Sequence, residues 1–429
     1  MTLNAAGLLT AAEISSKETV DFGISVDNDG NVIRVEKGAS NAIGSITGKY
    51  HSDHGMQNFI LKLNVQGAVK ITAGTCTYGT TQVKVNDVAA GDAVVGGGNA
   101  GPNICWKSNH ANVVTGLYNG AAGEIQIKTG SYTPYIKIEQ YNEANEPKAD
   151  PDGIYDLVVE NVAQLKSALT HSGTESKQFK ILVKNGTYDL GTDIQTPVKD
   201  YVSLIGESRD GVIVQNEPTT EGIQTSVLLL VSGTGTDIEN MTLKCTVTPV
   251  GGAERSVVIW DKGQNNIFRN LKLVGRQDTY SSDGKPEGAK SYFEDCHIMG
   301  TVDFICGSGN VMFENCILDL QQRSSGDVIT APSTYNSETG FVFNNWPIQG
   351  DSGQAGKYYL ARGWKNDPKA TFINTTMKIA PASGGVSSSD ASSSVNSKTW
   401  KEYGSKNASG EAANVTSYVI EESAANTIT

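Results

Sequence analysis

The stretch SYFEDCHIMGTVDFICGSGNVMFENCILDL, residues 291–320, contains one short phrase twice. Both copies, FEDCHI and FENCIL, begin with an apolar and a polar residue that are followed by Asp or Asn. Four similar phrases, IENMTL, FRNLKL, FNNWPI and INTTMKI, begin at residues 238, 268, 343 and 373. The Asn or Asp positions of the six phrases are separated by 30, 25, 20, 30 and 29 residues. This pattern is typical of a solenoid in which one strand per coil stays in register while the loops differ in length, so we predict a right-handed parallel β-helix.

The sequence that precedes this repeat has a different pattern. Short runs such as FILKLNV (59–65) and YIKIEQY (135–141) alternate apolar with polar residues, which is typical of half-buried strands in a β-sandwich. The polar stretch NEANEPKADPDG, residues 142–153, has no periodicity and indicates a linker. We therefore predict an all-β protein with a β-sandwich accessory domain over residues 1–148 and the parallel β-helix over 149–429.

One helix is predicted at the start of the second domain. In NVAQLKSALTH, residues 161–171, the side chains of Val162, Leu165 and Leu169 share one face, and Asn161 is a candidate N-cap. We expect this helix to cover an open end of the β-helix.

Composition limits the partners that the chain can bind. A formal net charge of -12 repels polyanions, so we expect neither nucleic acid nor an anionic membrane as a partner. No run approaches the roughly 18 apolar residues of a membrane span. The N-terminus has no basic stretch followed by an apolar core, so any signal peptide is expected to have been removed already. We also predict a monomer.

The cysteines and histidines do not indicate a metal site. The six cysteines lack paired CxxC spacing, and the five histidines do not cluster near them in sequence, so no metal or cofactor is expected. Cys296 and Cys316 occupy the same position in adjacent coils, and we predict that they are buried neighbours. A disulfide between them is disfavoured because side-by-side parallel strands rarely suit its dihedral angle.

Two aspartates are related by the repeat itself. Asp278 lies eight residues after Asn270, and Asp303 lies eight residues after Asp295. Equal offsets place both in one ladder, where equivalent positions are about 4.8 Å apart if the coils do not bulge. Like charges that close together split into one low and one raised apparent pKa, which prepares one group as a nucleophile and the other as a proton donor. Spacing alone also allows two solvated aspartates that splay apart.

The residues around this pair resemble the motifs of the pectin methylesterases. GRQDTY (275–280) is similar to the G-x-Q-D-T segment of that family, and GTVDFICG (300–307) is similar to its G-x-V-D-F-I-F-G segment. YLARGW (359–364) resembles Y-L-G-R-P-W, and VITAPST with GFVFNN, within 328–345, resembles the strand pair before it. The order and spacing of the motifs also agree, and the resemblance spans about residues 150 to 425.

This resemblance implies a secreted, extracellular or periplasmic carbohydrate esterase that cleaves methyl esters of galacturonate in homogalacturonan and releases methanol. Asp303 would be the nucleophile that forms an acyl-enzyme, and Asp278 would protonate the departing methoxide and then deprotonate water. Gln277 would stabilise the oxyanion, and Arg362 would keep Asp303 ionised and oriented. A sandwich module precedes some bacterial esterases of this type, which suggests a bacterial source and cell wall modification as the role.

Four further residues are predicted to contact the substrate. Trp364 would stack on a sugar ring, although it is also a candidate core aromatic, and Tyr280 would lie beside it in the site. Arg255 stands where the family has a second oxyanion-stabilising Gln, and Cys306 stands where it has a substrate-lining Phe. A cation at position 255 can stabilise an oxyanion, and it can also pair with Asp278 and change its proton affinity.

Other functions are compatible with parts of this evidence. A polygalacturonase or pectate lyase uses the same scaffold, but the chain has no Gly-His-Gly segment and no Asp cluster suited to calcium. An esterase or thioesterase with a non-pectin substrate is an alternative, and the absence of G-x-S-x-G disfavours a serine hydrolase. A non-catalytic carbohydrate-binding β-helix is the third. The N-terminal domain is a candidate carbohydrate-binding module, with a platform of Trp106, Tyr78, Tyr118 and Tyr132, and a plain structural role is the alternative.

Overall fold

The chain forms two compact units, Met1–Ala144 and Asn145–Thr429, in a computed structural model. The structure describes residues 8–10, 20–26, 32–37, 44–51, 55–65, 67–76, 83–86, 88–89, 93–94, 111–129, 132–141, 143–247, 253–387, 394–396, 399–413, 415–416 and 418–428. The boundary between residues 148 and 149 and the carbohydrate-binding role of the first unit stay predictions.

The first unit is built from antiparallel strands. They are β1 (Leu8–Thr10), β2 (Val20–Val26), β3 (Val32–Lys37), β4 (Gly44–His51), β5 (Gly55–Val65), β6 (Val69–Cys76), β7 (Val83–Val85), β8 (Val88–Ala89), β9 (Ala93–Val94), β10 (Ala111–Tyr118), β11 (Gly123–Thr129) and β12 (Tyr132–Gln140). One ladder runs β1-β12-β6-β10-β9, the other runs β3-β2-β4-β5-β11-β7-β8, and β12 pairs with β5. Trp106, Tyr78 and the side chain of Tyr132 lie outside the described residues, whereas the Tyr118 hydroxyl donates to the carbonyl of Ala121 over 3.1 Å.

The second unit alternates short strands with turns and loops. Its elements are β13 (Leu157–Val159), α1 (Val162–Ala168), β14 (Phe179–Val183), β15 (Gly186–Asp189), β16 (Thr196–Val198), β17 (Val202–Gly206), β18 (Val212–Asn216), β19 (Leu229–Val231), β20 (Asp237–Glu239), β21 (Thr242–Cys245), β22 (Ile259–Asp261), β23 (Asn266–Arg269), β24 (Lys272–Val274), β25 (Tyr280–Ser282), β26 (Lys290–Glu294), β27 (His297–Gly300), β28 (Val302–Gly307), β29 (Asn310–Glu314), β30 (Ile317–Leu320), β31 (Val328–Pro332), β32 (Phe341–Asn344), β33 (Pro347–Gly350), β34 (Tyr359–Ala361), β35 (Ala370–Ile373), β36 (Thr376–Met377), β37 (Trp400–Tyr403), β38 (Tyr418–Val419) and α2 (Glu422–Ile428). Short 3₁₀ turns occur at Glu143–Asn145 and Ser352–Gln354.

These strands form three parallel sheets that run the length of the unit. Sheet A is β13-β14-β17-β20-β23-β26-β29-β32-β35-β37-β38, sheet B is β15-β18-β21-β24-β27-β30-β33-β36, and sheet C is β16-β19-β22-β25-β28-β31-β34. In the middle of the unit each coil passes from A to B to C, and every strand pairs with the equivalent strand of the next coil. The predicted parallel β-helix is confirmed.

Helix α1 begins where the sequence predicted it. The side chain of Asn161 accepts a hydrogen bond from the backbone N–H of Gln164 over 3.0 Å, which caps the first turn. The helix ends at Ala168, three residues before the predicted end, and it buries Leu165 and Ala168 against the core of the first coils.

The repeated Asn or Asp closes the turn from sheet A to sheet B. All six adopt left-handed backbone conformations, with φ of 59° at Asn240, 46° at Asn270, 54° at Asp295, 54° at Asn315, 51° at Asn345 and 53° at Asn374. Asn and Asp tolerate this conformation better than other residues with a side chain, because the short polar side chain bonds locally. The Asn270 side chain also donates to that of Asn240 over 2.9 Å, so the turns are linked from coil to coil.

The apolar residue two positions before each repeated Asn or Asp points into the coil; in the sixth phrase this residue is Phe372, one position before Ile373. Five phenylalanines stack along the interior, with ring centroids 4.5, 4.8, 4.7 and 5.6 Å apart; they are Phe268, Phe293, Phe313, Phe343 and Phe372. Cys296 and Cys316 follow the turn residues of neighbouring coils and are buried free thiols, as predicted.

Candidate active site

The two predicted aspartates lie opposite each other at the start of sheet C. In the pairing of β25 with β28, Tyr280 lies opposite Ile305. Asp278 and Asp303 each precede these residues by two positions, so they lie opposite each other as well. The backbone N–H of Asp278 donates to the carbonyl of Val302 over 3.3 Å, which fixes this register. The equal offsets in the sequence therefore do correspond to one ladder.

The backbone at both aspartates departs from regular strand geometry. Asp278 has a φ of 59° and Asp303 has a φ of 52°, and the pairing of β28 with β31 shifts register between Val302 and Ile305. A bulge re-aims a side chain, and a left-handed aspartate is sparsely populated unless its surroundings enforce it. Asp278 and Asp303 are only 4% and 5% exposed, so they are not the two solvated aspartates that spacing alone allows.

Arg362 holds Asp303 with two parallel hydrogen bonds. Its Nε donates to Oδ1 over 2.8 Å, and its Nη2 donates to Oδ2. Burial raises the pKa of Asp303 above its ordinary value of 3.8, and the bonds from Arg362 oppose that rise. A bidentate guanidinium fixes the orientation of a carboxylate as well as its charge. Asp303 is therefore held in one orientation, and Arg362 stabilises its ionised form against the effect of burial.

Asp278 has a different electrostatic environment. Arg255 Nε lies 3.3 Å from its Oδ2, and the Cys306 thiol donates to its Oδ1 over 3.8 Å. Burial raises the pKa of Asp278 to about 8, the charge of Asp303 adds to this rise, and Arg255, Cys306 and Arg362 oppose it. The two environments thus differ in the direction that an acid and a nucleophile require: the pKa of Asp278 is raised to about 8, whereas a guanidinium is bonded directly to both oxygens of Asp303.

Gln277 directly precedes Asp278, Trp364 follows Arg362 by two residues, and both are half-buried. The backbone of Gln277 is tied to the preceding coil, since its N–H donates to Glu254 over 3.3 Å and its carbonyl accepts from Ser256 over 2.9 Å. Within the described residues no group bonds the side-chain amide of Gln277, which leaves it able to donate to a ligand. The Lys365 ammonium lies 3.9 Å from the centroid of the Trp364 ring.

Two predicted substrate contacts are corrected by the structure. Tyr280 is fully buried, and its hydroxyl donates to Asp261 over 2.9 Å inside the coil. Cys306 is 1% exposed and lies against Asp278 instead of lining a surface. Both follow the irregular backbone at the aspartates, where counting alternate positions along a strand no longer tells which side chains face outward.

A group of charged residues around the pair was missed by sequence reasoning. Glu254 is 5% exposed; it accepts from Arg276 Nε over 2.6 Å and from the Thr301 hydroxyl over 2.7 Å, and it lies 3.1 Å from Arg323 Nε. Glu221 lies 3.1 Å from Arg255. Arg276 stands within the quoted GRQDTY segment and Glu254 directly precedes Arg255, but no periodic signal indicates the residues that come from loops of other coils.

In the part of the chain that the structure describes, no group of three or more His, Cys, Asp or Glu side chains is placed to hold a metal ion. No helix among the same residues has the length and apolar character needed to cross a membrane.

Relatives of the chain were identified by sequence. A family model described as Pectinesterase matches residues 150–425. A probable pectinesterase/pectinesterase inhibitor 13 of Arabidopsis thaliana is 25% identical over 247 residues, which cover 54% of this chain and 39% of that protein. A pectinesterase of Sitophilus oryzae is 28% identical over 259 residues, which cover 57% of this chain and 63% of that protein. The chain thus spans less than two thirds of the length of these relatives.

Solved structures share the fold of the second unit. The pectin methylesterase PemA from Erwinia chrysanthemi matches 64% of this chain and 95% of its own, with a TM-score of 0.52 and 23% identity. The pectin methylesterase from Yersinia enterocolitica matches 62% of this chain and 96% of its own, with a TM-score of 0.51 and 25% identity. Since the family model covers most of the chain and the fold agrees, this protein belongs to the pectinesterase family.

Proposed function

We propose that the second unit hydrolyses the methyl esters of galacturonate in pectin and releases methanol. The observation that carries this proposal is the asymmetric aspartate pair. Asp303 is held by two bonds from Arg362, whereas burial raises the pKa of the adjacent Asp278 to about 8. Family membership supports ester hydrolysis as the reaction that uses such a pair.

In this mechanism the ionised Asp303 attacks the C6 carbonyl carbon of the methyl ester. The side-chain amide of Gln277 donates to the oxyanion that forms, and the protonated Asp278 gives its proton to the departing methoxide. Methanol leaves, and the galacturonyl group remains bound to Asp303 as an acyl-enzyme. Asp278, now ionised, takes a proton from water, and the resulting hydroxide cleaves the acyl-enzyme. The products are a free galacturonate and the original protonation states of both aspartates.

The proposal also covers the residues that contact the substrate and the place where the protein acts. The half-buried Trp364 is proposed to stack on a sugar ring, and Arg255 to contact the substrate beside Asp278. We propose a secreted, monomeric bacterial protein that acts on methylated homogalacturonan of cell walls and does not bind nucleic acid. The net charge of -12 supports the last point, because it repels polyanions.

Methanol release separates this function from its alternatives. We expect the protein to release methanol from highly methylated pectin without creating new reducing ends, and to release none from unmethylated polygalacturonate. New reducing ends would instead indicate a chain-cleaving enzyme on the same scaffold. If the protein releases no methanol but cleaves a simple aryl ester or thioester, the site acts on a non-pectin substrate. This is the first alternative because Arg255 and Cys306 stand where the family has Gln and Phe.

The pH dependence of the rate is expected to be bell-shaped. Asp278 must be protonated, so kcat/KM should fall about tenfold per pH unit above its pKa of about 8. Asp303 must be ionised, so activity should fall as the pH decreases through its raised pKa. Initial rates of methanol release, corrected for spontaneous ester hydrolysis in enzyme-free samples, would test both limbs. A rate that stays constant well above pH 8 would exclude Asp278 as the acid.

A further inference from the structure

Glu221 is connected to Asp278 through Arg255. Arg255 Nη1 lies 3.1 and 3.3 Å from the two carboxylate oxygens of Glu221, and Arg255 Nε lies 3.3 Å from Asp278 Oδ2. The side chains of Glu221, Arg255 and Asp278 are 20%, 36% and 5% exposed. Arg255 is thus the solvent-facing member of the group and covers Asp278 from outside.

These residues share one place in the fold. In three successive coils, the connection from sheet B to sheet C carries one member of this group: Glu221, then Arg255, then Asp278. In the fourth coil, Asp303 lies just after that connection, at the start of β28. Their charges follow in the order negative, positive, negative, negative. Arg255 therefore lies between the carboxylates of Glu221 and Asp278, and a change at Glu221 is transmitted to Asp278 by this cation.

Both oxygens of Asp278 are already engaged by the protein. Arg255 contacts Oδ2, and the buried Cys306 thiol donates to Oδ1. An acid that protonates a leaving group must present the oxygen that carries its proton to that group, so the contact on the exposed side of Asp278 controls access to it. Cys306 is 1% exposed and has no room to leave, whereas Arg255 is partly exposed and has a second carboxylate partner. Arg255 is the contact that can open.

We propose that Glu221 is a positioning residue of the active site, which acts by drawing Arg255 away from the Asp278 carboxylate. This inference rests on the proposed role of Asp278 as the acid. Without the negative charge of Glu221, Arg255 would sit more firmly on Asp278 and favour its ionised form. Without Arg255, Asp278 would lose a cation and favour its protonated form.

The groups that face Asp278 support a defined sign for each change. They are Arg255 from the preceding coil, Asp303 and Cys306 from β28, and Arg362 after β34, with Glu221 behind Arg255. Removing Arg255 leaves Asp303 as the dominant neighbouring charge, which raises the pKa of Asp278 further. Removing Glu221 leaves the positive charge of Arg255 uncompensated, and this lowers the pKa of Asp278.

The test is a direct titration of Asp278 by carboxyl ¹³C NMR in the full chain, with Asp278→Asn to assign the signal. We expect Arg255→Gln to move the titration midpoint upward by about one pH unit or more, and Glu221→Gln to move it downward by a smaller amount. Glu221→Gln introduced into the Arg255→Gln variant should have little further effect. Glu217→Gln, which removes an exposed carboxylate from the same loop, is the matched control and should leave the midpoint unchanged.

Midpoints that stay equal in wild type and Glu221→Gln, or that shift equally in Glu217→Gln, would overturn the proposal. The basic limb of the pH–rate profile should move in the same direction as the NMR midpoint in each variant, which a merely structural role of Glu221 would not produce. Because the titration follows a proton and not methanol, it gives its answer even if pectin is not the substrate.

Discussion

Replacing Asp303 with alanine is expected to abolish methanol release, with a decrease in kcat on the order of 10⁴-fold or more. The side chain supplies the attacking oxygen, and no other carboxylate occupies its position between Arg362 and Asp278. Methanol release from highly methylated pectin, followed at saturating substrate, measures the loss. Asp303→Asn should be equally inactive, because a neutral amide cannot act as the nucleophile.

The fold of these variants has to be checked separately. Asp303 is buried, but its partner Arg362 is 35% exposed, so water can solvate the guanidinium once the carboxylate is gone. We expect the unfolding midpoint of Asp303→Asn to stay near that of wild type, while Asp210→Ala, at a side chain that is 76% exposed, controls for loss of a carboxylate elsewhere. Activity within tenfold of wild type, or an unfolded Asn variant, would assign Asp303 a structural role.

Replacing Phe313 with alanine is expected to destabilise the β-helix by about 3–5 kcal/mol. The ring is fully buried and stacks between Phe293, at 4.8 Å, and Phe343, at 4.7 Å, in the centre of the aromatic row. Neighbours held in strands of the same sheet cannot collapse into the space that the ring leaves, so the cavity persists.

Denaturant unfolding followed by tryptophan fluorescence would measure this change, since Trp346 packs 4.7 Å from Phe343 in the same row. Phe313→Leu should cost less, because it fills part of the cavity, and Ile154→Ala, at a position that is 62% exposed, should cost little. An unfolding midpoint for Phe313→Ala that matches Ile154→Ala would show that the stack does not carry the stability of the coil.

The repeat made the fold predictable because two local constraints recur in six successive coils. An apolar residue that faces inward, which is a phenylalanine in five of the six, lies two residues before an Asn or Asp in a left-handed turn, as at Phe293 and Asp295. Packing and backbone conformation therefore mark the same corner of each coil. Since the coils stay in register, equal offsets from this corner also predicted the ladder of Asp278 and Asp303.

The surroundings of the pair could not be predicted in this way. Tyr280 was assigned to the substrate surface, but it follows the left-handed Asp278 and turns inward to Asp261. Glu221 reaches the site from a loop whose sequence has no counterpart in the other coils. Side-chain direction after an irregular residue and contacts from unrelated loops depend on three-dimensional packing, which periodicity does not encode.

The connections between sheets B and C differ in length from coil to coil. The connection that contains Asp278 comprises only residues 275–279, and only residue 301 separates β27 from β28, before Asp303. The corresponding connections are residues 217–228 in an earlier coil and 321–327 in the following one. The two aspartates therefore lie where the chain between the sheets is shorter than in those coils. If pectin is the substrate, as proposed, a site on the side of the β-helix can be reached at any place along the polymer, and we expect methanol release that does not require a chain end.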